Sequence, residues 1–200
     1  MINFAALKKF VLQKLRNELS PKLYYHSIEH TIDVFNASSR LAKMEKIKGQ
    51  DLILLKTAAL LHDIGLIKKY KEHEDASIQI ARESLSVFAY SKDDIDTICR
   101  MINCTRLPQC PENKMEKILC DADLDYLGRD DFFMIAHKLR YEWEELGYLH
   151  STLKEWYQLQ IKFLEEHHYF TNAANDLRYN GKIKNLLEIK DLFRIENQNS

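Results

Sequence analysis

Four of the chain's eight histidines fall between positions 26 and 73, each beside a carboxylate or at a spacing suited to metal binding. The first group is Tyr25-His26-Ser27-Ile28-Glu29-His30, whose two histidines, four apart, would share one face of a helix. The second is Leu60-Leu61-His62-Asp63-Ile64-Gly65, a His-Asp pair at the end of the most apolar stretch of the chain. A charged aspartate buried there is costly unless it is paired or bound to a cation. The third is Cys120-Asp121-Ala122-Asp123-Leu124-Asp125, three acids in an otherwise apolar segment, whose mutual repulsion asks for a cation or a solvated face. Two imidazoles and two carboxylates at apolar-to-polar boundaries form a mixed nitrogen and oxygen donor set, which suits a borderline divalent ion.

Taken singly, each group has a plainer reading. His26 and His30 fit an ordinary helix start, His62-Asp63 a hydrogen-bonded core pair, and the acids at 121–125 a solvated face. His26-x-x-Glu29-His30 also matches the inverted zinc-protease pattern, with Glu29 as the base. That reading leaves His62-Asp63 and the three acids unexplained, and five residues with three fixed positions arise by chance far more easily than the whole ordered set.

The elements that must position these residues read as helices throughout. Only 5 of the 200 residues are Gly and 3 are Pro, about a third of ordinary usage, so a turn-rich β architecture is excluded and long helices are expected. Phe4, Leu7, Val11 and Leu15 form an apolar stripe after an Asn3 cap, ending at Ser20-Pro21. A second helix is expected from Ser27 to Lys48 with Gly49 as its stop, and a third, capped by Asp51, from Leu52 to His62. Further helices are expected at 74–88, from a Ser91–Asp94 capping box to Cys104, and at 114–126, 131–146, 152–166 and beyond Thr171, with a frayed polar end at 196–200. Thr105 to Asn113, with Pro108 and Pro111, reads as the loop in the middle of the chain.

The expectation is one all-α domain with a core over about 22–130 and a helical extension over about 131–195. With 29 basic against 30 acidic residues, no excess charge points to a nucleic-acid polymer. No apolar run approaches the roughly 20 residues of a membrane span, and a cytoplasmic location is the default. Cys99, Cys104, Cys110 and Cys120 lack C-x-x-C spacing and read as reduced, mostly buried thiols.

The ordered pattern of His30, His62-Asp63 and a later Asp resembles the HD superfamily of metal-dependent phosphohydrolases. Tyr25-His26-x-x-x-His30-Thr31-x-Asp33-Val34 is similar to the first motif of its cyclic-nucleotide phosphodiesterase branch, and His62-Asp63-Ile64-Gly65 to the HDIG form. His73-Glu74-x-x-Ser77 and Asp121 to Gly128 resemble segments of small bacterial members, so the likeness covers about 22–130. It implies an all-α bundle holding one divalent ion (Mn, Fe, Mg or Zn) on His30, His62, Asp63 and either Asp123 or Asp121. Family patterns of the Ala-Asp-x-Leu type favour Asp123. Helical geometry agrees modestly: Asp123 sits about 80° from the centre of the apolar stripe of its helix and Asp121 nearer 120°.

The resemblance further implies His26 as general acid, with Asp63 also orienting the attacking water. An imidazole pKa near 6.5 suits that proton transfer. His73 is a secondary candidate ligand. Ile102-Asn103-Cys104-Thr105 carries Thr where members with two metals have a further His, and Leu66 replaces the Lys of the cyclic-dinucleotide branch. A mononuclear site is therefore favoured. The expected substrate is a phosphoester or anhydride of a nucleotide or related metabolite, with Arg106 and Arg140 as candidate contacts. The alternatives are a non-catalytic metal-containing regulatory domain and an oxygenase on the same fold, the latter disfavoured by the missing histidine.

Overall fold

The computed structural model describes residues 2–198, with side chains through Arg194. Among these the chain folds into nine α-helices and no strand. The first six are α1 (Phe4–Glu18), α2 (Ile28–Met44), α3 (Gly49–Leu61), α4 (His73–Ser84), α5 (Lys92–Asn103) and α6 (Lys114–Asp123). The extension is α7 (Phe132–Glu145), α8 (Leu153–Glu166) and α9 (Asn172–Gln198). The expected fraying at 196–200 meets a helix that continues to Gln198, and 199–200 lie outside the described residues.

Caps account for most of the boundaries. The Asn3 side chain accepts from the Ala6 amide, Ser27 caps α2 through the His30 amide, and Ser91, Asn113 and Thr152 each complete a capping box with the acid three residues on. The end of α2 departs from the sequence reading. It stops at Met44, and Gly49, expected as the stop, opens α3, with Asp51 in the first turn rather than at the cap. The terminator is Lys46 (φ 63°): its amide bonds to the Lys43 carbonyl and the Ile47 amide to that of Ala42, which is a Schellman closure with a lysine in the left-handed position. Two expected helices also run shorter. A 3-10 turn at Leu85–Phe88 follows α4, and another at Asp125–Gly128 follows α6.

α3 lies in the centre, with Leu54, Leu55 and Thr57 to Leu61 buried against α1, α2, α5 and α6. A second apolar cluster is built by the extension: Phe132, Ala136, Trp156, Leu164 and Ile189 close over Tyr25 and Leu124 to Leu127. Two buried carboxylates stitch the clusters together. Asp121 accepts from the Phe170 and Thr171 amides and the Thr171 hydroxyl at 2.6–2.8 Å. Asp125 takes both Arg40 and Arg178 in paired contacts of 2.9–3.0 Å. Cys99, Cys104 and Cys120 are buried free thiols and Cys110 is exposed. No helix among the described residues is long and apolar enough to cross a membrane.

α9 seats directly on the 125–128 turn because neither partner has a Cβ there. A Cβ on Gly181 would come within 2.1 Å of the Gly128 carbonyl oxygen, and one on Gly128 within 2.3 Å of the Arg178 oxygen. Replacing Gly181 by Ala therefore forces the backbones apart, with an expected loss of about 1–3 kcal/mol. Thermal unfolding of Gly181→Ala should show a lower Tm; an unchanged Tm would refute the close packing.

Candidate metal centre and cavity

The three sequence groups meet where α2 begins and where α3 and α6 end. His30 lies in the first turn of α2, His62 and Asp63 in the turn after α3, and Asp123 is the last residue of α6. His30 Nε2 and His62 Nε2 are 3.3 Å apart. Asp63 Oδ2 lies 3.4 Å from the first and 3.1 Å from the second, and Asp123 Oδ1 lies 3.3 and 3.4 Å from them. His62 and Asp63 are buried, and His30 and Asp123 are nearly so.

A divalent ion fits His30, His62 and Asp123, whose donor atoms close on one another, with Asp63 set against both histidines. Metal–ligand bonds of about 2.1 Å put neighbouring donors about 3.0 Å apart on an octahedron and 3.4 Å apart on a tetrahedron. His62 Nδ1 pairs with the Ala59 carbonyl at 2.9 Å, which places the proton there and turns the Nε2 lone pair toward the centre. Asp63 Oδ2 is buried and makes no hydrogen bond despite its imidazole neighbours. The His62 Nε2 lone pair and the carboxylate oxygens thus crowd together in a way that suits a cation. Without one, protons take its place. Burial by itself would lower the two imidazole pKa values, but the Asp63 and Asp123 carboxylates outweigh it and raise both, His62 well above its ordinary value.

The remaining candidates fall in distinct places. Asp121 points to the start of α9, as described, while Asp123 faces the histidines. The two acids diverge because helical geometry ends between them and Asp125. His73, the first residue of α4, directs Nε2 at the other oxygen of Asp63 (Oδ1, 3.2 Å) and holds the Tyr70 carbonyl through Nδ1 (2.9 Å). Burial opposes its charge, but the Asp63 bond prevails and pushes its pKa up to about 9. Close approach of α4 is secured by Gly65, where a Cβ would lie 2.0 Å from the His73 carbonyl. Glu29 is exposed and hydrogen-bonds with Ser27. Arg106 lines the cavity but pairs with Asp75 and approaches Glu74. Arg140 is held by Glu144 and the Ser151 carbonyl.

His26 stands beside the centre, its ring centroid 5.9 Å from that of His30 and 5.8 Å from that of His73. Its Nδ1 pairs with Glu142 Oε1, a contact that sequence reasoning missed. Glu142 comes from α7, is fully buried, and also accepts the Tyr25 and His26 amides at 2.9 and 3.0 Å and the Tyr70 hydroxyl at 2.9 Å. Burial works against its charge, yet these donors, His26 foremost, hold its carboxyl below the usual range. The available signal was an acid beside the α7 stripe of Phe132, Ala136, Leu139 and Trp143, a position that demands donors. His26, Tyr70, His73, Asp63 and Asp123 line one cavity of about 460 Å³, closed on its other sides by the 105–107 loop and by α7 and α8.

The HD domain family matches residues 27–126. An uncharacterized protein of Clostridium beijerinckii is 31% identical over 84 residues, which are 40% of this chain and only 53% of that protein, so the chain spans about half the length of the relative it matches. Among solved structures, Bacillus subtilis YpgQ in complex with ADP superposes with a TM-score of 0.67 at 17% identity, over 96% of this chain and 93% of that one. A Lactobacillus plantarum protein solved by structural genomics gives a TM-score of 0.68 at 22% identity over the full length of both chains. These two likenesses establish the fold. With the family matched over half its length and the same all-α architecture, the chain belongs to the HD domain family, within the metal-dependent phosphohydrolase superfamily.

Proposed function

We propose that the protein is a phosphohydrolase that uses one divalent ion, held by His30, His62, Asp63 and Asp123, to cleave a phosphoester or phosphoanhydride of a nucleotide or related metabolite. The observation that carries this reading is the convergence of donor atoms of His30, His62 and Asp123 3.3–3.4 Å apart, with Asp63 Oδ2 at 3.1–3.4 Å from both histidines, beside a cavity that also holds an oriented imidazole. The nucleotide class draws support from a neighbour of the same fold that binds ADP. Such an ion polarises a phosphoryl oxygen and acidifies water.

The chain's own residues supply the rest. His26 donates a proton to the leaving oxygen from Nε2, because Glu142 engages Nδ1 and so fixes both tautomer and ring orientation. Asp63 serves the centre through Oδ2, while His73 holds its Oδ1, so the carboxylate cannot rotate freely. Arg106 would reach a phosphate only by releasing Asp75.

Metal content separates these residues by role. His62→Ala and Asp63→Ala should lose bound metal, whereas Asp121→Asn should keep it and lose stability; mass spectrometry on purified proteins checks this, and full metal in both of the first two variants would sink the site. Metal must displace protons that the carboxylates hold on His30 and His62, whose pKa values are raised. Affinity should therefore fall as pH drops and continue to rise above the ordinary histidine value of about 6.5. Manganese titrations across that range would show it, and a flat profile would argue against these ligands. Glu142→Gln should retain metal but lower kcat about 10²-fold or more, and adding it to His26→Ala should cost little further. Additive losses would mean that Glu142 does not act through His26. A panel of nucleotides and phosphomonoesters with each metal tests the reaction itself, and no turnover with any combination would favour the regulatory-domain reading.

A further inference from the structure

Each carboxylate of the metal centre sets one oxygen against the two histidines and gives the other to a different neighbour. For Asp63 that second oxygen, Oδ1, faces His73 Nε2 at 3.2 Å. For Asp123 it is Oδ2, and its partner comes from the loop between α5 and α6. Gln109 Nε2 lies 3.4 Å from Asp123 Oδ2 and 3.5 Å from the Cys120 carbonyl oxygen. With both neighbours acceptors, the amide end that faces them must be the nitrogen. The Cys120 carbonyl also takes the Leu124 amide at 3.3 Å, so Gln109 clasps the closing turn of α6 together with its last residue. The side chain is half-buried. It does not line the 460 Å³ cavity, to which this loop contributes Thr105, Arg106 and Leu107. Contact with a substrate there is therefore not its part.

A carboxylate can serve a cation with one oxygen or chelate it with both. For Asp123 to chelate, Oδ2 would have to turn from Gln109 toward the histidines and give up a hydrogen bond to a charged acceptor. Calcium gains most from such a turn, since it takes about six to eight oxygen ligands, chelating carboxylates among them. Smaller divalent ions need fewer donors, and two imidazole nitrogens suit them better than they suit calcium. Holding both outer oxygens therefore withholds from calcium the donors that it lacks here.

We propose that Gln109 is a positioning residue of the metal centre: by holding Asp123 Oδ2 it presents that carboxylate through Oδ1 alone, which favours a small divalent ion over calcium. The proposal rests on the metal reading above and deepens it by tying the choice of ion to the loop between α5 and α6.

The test uses the full chain, stripped of metal, with calorimetric titration of manganese and of calcium and with Tm measured before either is added. Gln109→Met keeps the length of the side chain and removes the donor; Gln109→Ala removes both, and His62→Ala serves as the control for the centre. Both Gln109 variants should bind manganese about 10-fold more weakly, bind calcium as well as the wild type or better, and keep the metal-free Tm. Unchanged manganese binding in both variants overturns the proposal. A parallel loss for both ions with a lower metal-free Tm also overturns it, because Gln109 would then be merely structural. If the wild type binds neither ion, the metal reading falls and the proposal falls with it. If manganese binding is lost in His62→Ala but unaltered in both Gln109 variants, the metal reading stands and the proposal alone is removed.

Discussion

Two imidazole nitrogens lie 3.3 Å apart inside a helical bundle, with a carboxylate oxygen of Asp63 and one of Asp123 each within 3.4 Å of both, a crowding that repels unless positive charge sits among them. Much of the architecture serves to keep that arrangement closed. α3 delivers His62 and Asp63 from the most buried position in the molecule, and the caps of α2 and the end of α6 bring His30 and Asp123 to the same point. The flanking acids turn elsewhere. Asp121 and Asp125 each hold a seam beside Asp123, so the chain on either side of Asp123 is anchored by buried, fully engaged carboxylates.

Duties divide between the two apolar clusters. The donors come from α2, the turn after α3 and the end of α6, all within the stretch that the family matches. The carboxylate that orients His26 comes from α7, beyond that stretch, as does the wall containing Leu139 and Trp143. Glu142 is the hinge of this division: it joins the segment before α2 to the extension through two backbone amides, an imidazole and a tyrosine hydroxyl. The orientation of His26 and the far side of the cavity therefore depend on how the extension docks, and Asp123 depends on it indirectly, through the seams that Asp121 and Asp125 make with Phe170, Thr171 and Arg178.

Much of this was legible in the residues. Scarce glycine and proline, strong caps and the ordered His and Asp groups pointed to an all-α fold and to the donors that the structure brings together. What escaped had physical reasons. The stop of α2 was hidden because a lysine, Lys46, makes the left-handed closure three residues before Gly49, which is left-handed too but opens α3. A constant helical period cannot separate Asp121, Asp123 and Asp125, since the helix gives way to a tighter turn among them. Glu142 and Tyr70 lie 116 and 44 residues from His26, and no local pattern encodes a contact that only tertiary packing creates. Gly128 and Gly181 look unremarkable apart; their meaning lies in each other.

Both α3 and α6 run out at the centre while α2 and α4 begin there, so carbonyl ends and amide ends meet around the same residues, and one carbonyl accepts from His62. A carbonyl end carries about half a unit of negative charge and an amide end about half a unit of positive charge. With two of each at one place, the backbone contributions largely offset one another. The sign of the field there is therefore set by the side chains of Asp63 and Asp123, and a single carboxylate-to-amide change alters it.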